Sequence, residues 1–326
     1  MNDKTRNSRF ARKTRGQGQS ANNAPNSGKT GPNERQKRAY SSKTHGATSK
    51  PRSPKARHGQ NNDRNTGSGG QNRRKGAGRE GGSGWMWGTH ACLAALSNPK
   101  RTIHELILTE AADTRLKLPE GGAIPRIVLP QVLDKTVPRG AVHQGIAVKA
   151  APLEWKSLEE IADAADDDAL ILVLDQITDP HNVGAMLRLA SAFGVSAIVM
   201  QSRKAPPLSG ALAKVAVGCL ETVPVCLETN IANTLINLQR IGWQVTGLAG
   251  ETDLPVSKAL SGGGKRVIVM GAEGPGLRDR VRKTCDQLAK IPMMSRNLRG
   301  EAESLNVATA AGIALYEARR DEARRA

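Results

Sequence analysis

A continuous run of apolar residues, Ala169 to Leu174, ends in Asp175. A run without the alternation of a half-exposed strand is typical of a parallel strand that is buried on both faces. Comparable runs recur, separated by helical patterns, at 196–200, 223–226, 243–248, 266–270 and 288–292. The sequence therefore predicts an α/β domain over 169–322, with a mostly parallel sheet covered by helices on both faces.

A smaller α/β unit is predicted at 85–151. Short apolar runs at 105–109, 125–129 and 144–150 predict strands, and apolar residues at helical spacing predict helices that end near Asn98 and Val137. The acidic segment that follows, 152–168, predicts a linker with a surface helix.

The first 84 residues differ in composition from the rest of the chain. They contain 20 of the 48 Lys and Arg but only 4 Asp and Glu, and their only aromatic residues are Phe10 and Tyr40. A segment with so little apolar surface cannot offset the entropy cost of ordering, so it predicts a disordered tail. Its charge favours polyanions such as nucleic acid, and a merely solubilising extension is the equal alternative.

The four cysteines are Cys92, Cys219, Cys226 and Cys285, and no two are spaced as a C-x-x-C pair. They predict small apolar groups in a reduced, cytoplasmic protein and no metal site. No apolar stretch reaches 18 residues, and the N-terminus lacks an apolar signal core, which argues against a membrane span and a signal peptide. The Arg- and Ser-rich N-terminus also suits a transit peptide, the less favoured alternative.

A first motif spans 175–195 and leads from a strand into a helix. Asn182 is placed to cap this helix, and Gly184 allows another group to approach its first turn closely. Arg188 lies among apolar neighbours and therefore needs an anionic partner, either a core carboxylate or a phosphate.

Two further motifs follow later strands. In the second, at 267–277, the strand ends in a glycine-rich loop that contains Gly271 and Glu273. This loop matches neither the Walker A motif nor the G-x-G-x-x-G motif, so by itself it also fits a plain turn. In the third, at 291–320, a strand is followed by a polar loop and the final helix, which Ser304 is placed to cap and whose first turn contains Asn306.

Together, in this order and spacing, the three motifs resemble those of the SpoU family of SPOUT RNA methyltransferases. Residues 87–96 and 143–148 are similar to the small L30e-like RNA-binding domain of family members that methylate guanosine in 23S ribosomal RNA. The resemblance covers about 85–320 and leaves the tail outside. One departure is the segment 294–303, which is longer than the family's compact loop and either adds Arg296 and Arg299 to an RNA surface or forms a mobile loop.

The resemblance implies a homodimer, a C-terminal trefoil knot and S-adenosylmethionine bound in that knot. By matched position, the cofactor-binding residues are Gly250, Gly271, Ile291, Met293 and Leu305. The substrate and catalytic residues are Asn182, Arg188, Glu273, Ser304 and Asn306.

The implied reaction is 2′-O-methylation of an RNA ribose. Because a guanidinium keeps its proton, Arg188 is interpreted as an anchor for RNA phosphate that polarises the 2′-hydroxyl, with Asn306 and Glu273 fixing the loop and the ribose. The alternatives are methylation of tRNA and a non-enzymatic RNA-binding or ribosome-assembly protein on the same scaffold. The L30e-like domain favours ribosomal RNA, and the complete motifs favour an enzyme.

Overall fold

A computed structural model describes residues 84–294 and 304–323. The predicted disordered tail and most of the long loop at 294–303 lie outside these residues. Within them, no helix is long and apolar enough to cross a membrane.

The N-terminal unit contains a four-stranded sheet. The strand order is β1-β4-β2-β3, antiparallel except between β2 and β3. The strands are β1 (Trp85–Trp87), β2 (Ile103–Leu108), β3 (Arg126–Ile127) and β4 (Ile146–Ala150), and the helices are α1 (Thr89–Ser97), α2 (Glu110–Arg115) and α3 (Pro130–Thr136). The predicted strand at 125–129 is shortened to two exposed residues because it pairs only with the end of β2.

The C-terminal unit contains a six-stranded sheet in the order β10-β8-β9-β5-β6-β7, and every pairing is parallel, in line with the predicted mostly parallel sheet. Its strands are β5 (Leu170–Asp175), β6 (Ala197–Gln201), β7 (Val225–Glu228), β8 (Gln244–Leu248), β9 (Arg266–Gly271) and β10 (Gln287–Ala289). Its helices, with the linker helix α4, are α4 (Leu158–Asp163), α5 (Pro180–Ala192), α6 (Gly210–Ala216), α7 (Ile231–Arg240), α8 (Val256–Ala259), α9 (Asp279–Thr284) and α10 (Val307–Ala323).

The central strand β5 explains why both faces of this sheet are covered. Its alternate side chains Leu170, Leu172 and Leu174 belong to the core shared with α5 and α10, whereas Ile171 and Val173 belong to the core shared with α4, α7 and α9. Successive side chains of a strand point to opposite faces, so an uninterrupted apolar run requires two apolar layers. The prediction of a doubly covered sheet is confirmed.

Both predicted helix caps are wrong. Asp179, not Asn182, caps α5, because its carboxylate accepts hydrogen bonds from the backbone N–H groups of His181 and Asn182. Asn306, not Ser304, caps α10, because its Oδ1 accepts from the N–H groups of Ala308 and Thr309. Helix α5 begins at Pro180, so Asn182 lies within its first turn, whereas α10 begins at Val307, so Ser304 lies two residues too early to be its cap.

Candidate active site

A cavity of about 360 Å³ opens where β8, β9 and β10 end. Small-molecule sites commonly measure about 300–1,000 Å³, and ligands of parallel sheets bind at the carboxyl ends of the strands. All five residues that the resemblance assigns to the cofactor line this cavity: Gly250, Gly271, Ile291, Met293 and Leu305. The structure thus brings together three loops that are far apart in sequence.

The glycine-rich loop after β9 folds back on itself. Ala272 and Gly276 exchange two backbone hydrogen bonds, of 3.1 and 2.9 Å. A Cβ atom on Gly271 would lie 2.3 Å from the carbonyl carbon of Gly276 and 2.4 Å from the backbone nitrogen of Leu277. Gly271 is therefore required by the close approach of two backbone segments. This loop packing does not test the knot, which stays a prediction.

Gly250 has a different part in the cavity. A Cβ atom there would meet no atom within 4 Å, so its missing side chain leaves open space. Apolar walls come from residues such as Met270 and Leu305, and backbone groups and the carboxylates of Glu251 and Glu273 add polarity. Apolar walls with a few polar groups fit an adenosyl group, which has apolar and polar parts of its own.

An ion pair to a buried carboxylate holds the far end of the glycine-rich loop. The carboxylate of Asp175, at the end of β5, is fully buried. It accepts a 2.8 Å hydrogen bond from Nε of Arg278 and a 3.0 Å bond from the Arg278 backbone N–H, and Arg278 Nη2 lies 2.6 Å away. These contacts tie the loop that ends at Arg278 to the strand that leads into the first motif.

The first and third motifs meet through Asn182 and Asn306. Nδ2 of Asn306 donates a 3.0 Å hydrogen bond to Oδ1 of Asn182, so the starts of α5 and α10 are joined side by side. Glu273 and Ser304 line the neighbouring cavity. Four of the five predicted substrate residues therefore lie in or between these loops.

Arg188 lies apart from this group. It is exposed on α5, does not line the cavity, and makes no hydrogen bond or ion pair with residues 84–294 or 304–323. The alternative of a structural arginine paired with a core carboxylate is therefore not supported. Gly184, as predicted, permits a close approach: a Cβ there would lie 2.9 Å from the carbonyl oxygen of Leu212 in α6.

Sequence reasoning missed several residues of the site. Glu251 and Arg282 line the cavity and form an ion pair, and Lys290 lines it next to its partner Asp253. Glu251 directly follows Gly250, so its place after a strand end was the available signal. Arg282 had no such signal, because α9 was not predicted as a separate helix.

The cysteines are unpaired, and three of them lie in apolar surroundings. Burial raises the pKa of the Cys92 and Cys285 thiols to about 12 and that of Cys226 to about 11. Raised pKa values keep these thiols protonated, as expected of cysteines used as small apolar residues.

Comparison with known proteins identifies the family of this chain. Residues 169–316 match the model of the SpoU rRNA methylase family, and residues 85–156 match the model described as RNA 2′-O ribose methyltransferase substrate binding. The 23S rRNA (guanosine-2′-O-)-methyltransferase RlmB of Vibrio vulnificus is 40% identical over 242 residues, which cover 72% of this chain and 95% of that protein. RlmB of Pseudomonas aeruginosa is 39% identical over 239 residues, covering 71% and 94%.

Solved structures share the fold. The AdoMet-bound rRNA methyltransferase of Sinorhizobium meliloti aligns with a TM-score of 0.59 at 23% identity, covering 73% of this chain and 87% of that one. The SpoU methyltransferase AviRb of Streptomyces viridochromogenes, in complex with AdoMet, aligns with a TM-score of 0.58 at 19% identity, covering 73% and 90%. With relatives at 40% identity matched over nearly their whole length, this chain belongs to the SpoU rRNA methylase family of RNA 2′-O-ribose methyltransferases.

Proposed function

We propose that this protein transfers a methyl group from S-adenosylmethionine to the ribose 2′-hydroxyl of a guanosine in 23S ribosomal RNA. One observation carries the proposal: the cofactor cavity and the Asn182–Asn306 pair lie where the three motif loops meet. The RlmB relatives, which act on guanosine in 23S rRNA by name, support the choice of substrate.

The cavity residues would hold the cofactor. Gly250, Gly271, Ile291, Met293 and Leu305 offer backbone groups and apolar contacts. The bound cofactor supplies an electrophilic methyl group attached to a positively charged sulfur. That methyl group would pass to the ribose 2′-hydroxyl, which the protein's own residues have to orient.

The protein's own residues position the ribose. Asn182 and Asn306 hold each other at the starts of α5 and α10, and Ser304 and Glu273 stand at the adjacent cavity wall. We assign these four side chains to orienting the ribose and the loops. Orientation of the reacting atoms is the larger part of the task, since a well-oriented pair reacts far faster than free reactants.

Arg188 is assigned to RNA binding. Its side chain is exposed and has no partner among the described residues, so it is available to bind an RNA phosphate. A guanidinium holds its proton, so Arg188 anchors the phosphate and polarises the 2′-hydroxyl, while the proton leaves through phosphate or water.

The chain is proposed to consist of two domains and a tail, and to act as a dimer. Residues 85–151 form the RNA-binding domain and 169–322 the catalytic domain, and the tail adds affinity for RNA. We propose a homodimer that acts in the cytoplasm. Light scattering of the purified chain measures its mass directly and tests the homodimer.

Mapping of 2′-O-methyl groups in total RNA tests the function. Cells that lack the protein should lose one guanosine methyl in 23S rRNA, and expression of the wild-type chain should restore it. Loss of a tRNA methyl with an unchanged rRNA map would move the substrate to tRNA. No change in either map, together with RNA binding in vitro, would identify a non-enzymatic RNA-binding protein.

A further inference from the structure

A buried ion pair joins the N-terminal unit to the catalytic unit. Arg101 lies between α1 and β2, and Glu221 ends a short 3₁₀ turn, Cys219–Glu221, that follows α6. Nη2 of Arg101 lies 2.6 Å from Oε1 of Glu221, and Nε donates a 3.0 Å hydrogen bond to Oε2. Each side chain is only 3% exposed, so this two-point contact is shielded from water.

Further hydrogen bonds complete the ion pair. Nδ2 of Asn98, the residue that ends α1, donates a 2.9 Å bond to Oε2 of Glu221. Nη1 of Arg101 donates a 2.6 Å bond to the carbonyl oxygen of Ala151, where the N-terminal unit passes into the linker. A buried pair with its remaining hydrogen-bonding groups satisfied resists separation, because either charge left alone would be unpaired and desolvated.

Apolar contacts extend the same interface along α6. A Cβ atom on Gly210, at the start of α6, would come within 3.0 Å of the Trp87 ring, and one on Gly218, just after α6, within 2.7 Å of Cβ of Ala94. Val217 ends α6 in the left-handed conformation, with φ of 52°, which is rare for a β-branched residue. Strain of this kind persists only where the surrounding contacts impose it.

The opposite side of α6 packs on the helix that carries the first motif. Gly184, in the second turn of α5, lies against the Leu212 carbonyl and the Val215 side chain, and Asn182 is two residues before it. Lys214 of α6 donates a hydrogen bond to the carbonyl of Val142 in the N-terminal unit. A single helix, about 10 Å across, thus separates the N-terminal unit from the start of α5.

We propose that Arg101 and Glu221 are positioning residues for the RNA substrate. They hold the RNA-binding domain at a fixed place against α6, so that RNA bound by this domain presents one ribose to Asn182 and Asn306. The selection of the target nucleotide is then set by a fixed distance between the binding surface and the reacting groups. This inference rests on the proposed function, because it gives the proposed RNA-binding domain the task of selecting the target nucleotide.

The variant Glu221→Gln tests the inference, because it removes the charge and keeps the size of the side chain. The matched control is Glu159→Gln, which makes the same change at an exposed position on α4, outside both the RNA-binding domain and the cavity. The substrate is a folded 23S rRNA fragment that contains the target. We measure kcat/KM for RNA, the affinity for S-adenosylmethionine, and the position of every added methyl group.

For Glu221→Gln we expect kcat/KM for RNA to fall by about tenfold to a hundredfold, as small errors of placement are known to cause. Methyl groups should appear on neighbouring riboses, with cofactor affinity unchanged. A loss of folding alone would lower all rates without changing the position of methylation. If Glu221→Gln does not fold, Asn98→Ala removes one of the contacts to Glu221 and should give a smaller shift of the same kind.

A folded Glu221→Gln enzyme with the rate and methylation pattern of Glu159→Gln would overturn the inference. Asn98→Ala with an unchanged pattern would overturn it where Glu221→Gln cannot be made. A wild-type protein that methylates no ribosomal RNA would instead defeat the proposed function, and with it the positioning assignment.

Discussion

The cofactor side and the substrate side of the site are built in opposite ways. The cofactor side is shaped by backbone: Gly271 sits against the Gly276–Leu277 backbone, and Asp175 holds the loop end through Arg278. On the substrate side, Arg188 and Asn306 are exposed side chains. The difference leads us to propose that the free protein already has the form that binds the cofactor, whereas bound RNA completes the substrate side.

The largest effect should come from Gly271→Ala. The added Cβ overlaps backbone atoms that cannot rotate away, and overlap of this kind costs about 1–3 kcal/mol or more. We expect affinity for S-adenosylmethionine, measured by calorimetry, to fall by about 100-fold. Gly263→Ala is the control, because a Cβ there meets no atom within 4 Å. Equal affinities for the two variants would show that the loop is not prearranged.

Arg188→Ala should impair the substrate side of the site and leave the cofactor side unchanged. Loss of a charged donor to a reacting or anchoring group costs about 100-fold in rate, so methylation should fall by that factor. Cofactor affinity should not change, since Arg188 does not line the cavity. Arg240→Ala removes another exposed arginine, on α7, as the control. Methylation near the wild-type rate in Arg188→Ala would refute the assignment.

Asn306→Asp separates two tasks of one side chain. The new carboxylate can still cap α10, but it cannot donate to Asn182. We expect the free energy of unfolding to stay within about 0.5 kcal/mol of wild type, because the cap is kept. We expect the methylation rate to fall about tenfold, which corresponds to the energy of about one hydrogen bond. Asn306→Ala should lose about 1 kcal/mol of stability as well, because the cap is removed. A fully active Asn306→Asp would show that the contact between the motifs is structural only.

The smallest effect concerns Cys285, which packs behind the cofactor loop against Gly247. Burial raises its thiol pKa from 9.0 to about 12, so the folded state favours the protonated form. The resulting stability is present below pH 9 and is lost as the pH rises toward 12. Alkylation of Cys285 at pH 8 should therefore be slower than that of an unfolded chain. Equal alkylation rates would show that the region around Cys285 unfolds locally often enough to expose the thiol.

The sequence predicts the strands and the loops that form the cavity better than the contacts around them. Strand ends and glycines are local signals, so β5 is predicted to within one residue, and the five residues proposed to bind the cofactor line one cavity. The capping residues were missed, although Asp179 before Pro180 is a common helix start. Arg101 and Glu221 are 120 residues apart, and no local pattern indicates that they meet.

The apolar core that the two units share has one more consequence. Met86, Cys92 and Ile146 of the N-terminal unit belong to the same apolar core as Leu172, Val183 and Leu212 of the catalytic unit. Exposing either half of a shared core leaves apolar surface of the other in contact with water. Heating should therefore melt residues 84–323 in a single cooperative transition, and a calorimetric scan with two separate peaks would show that the two family modules unfold as independent bodies.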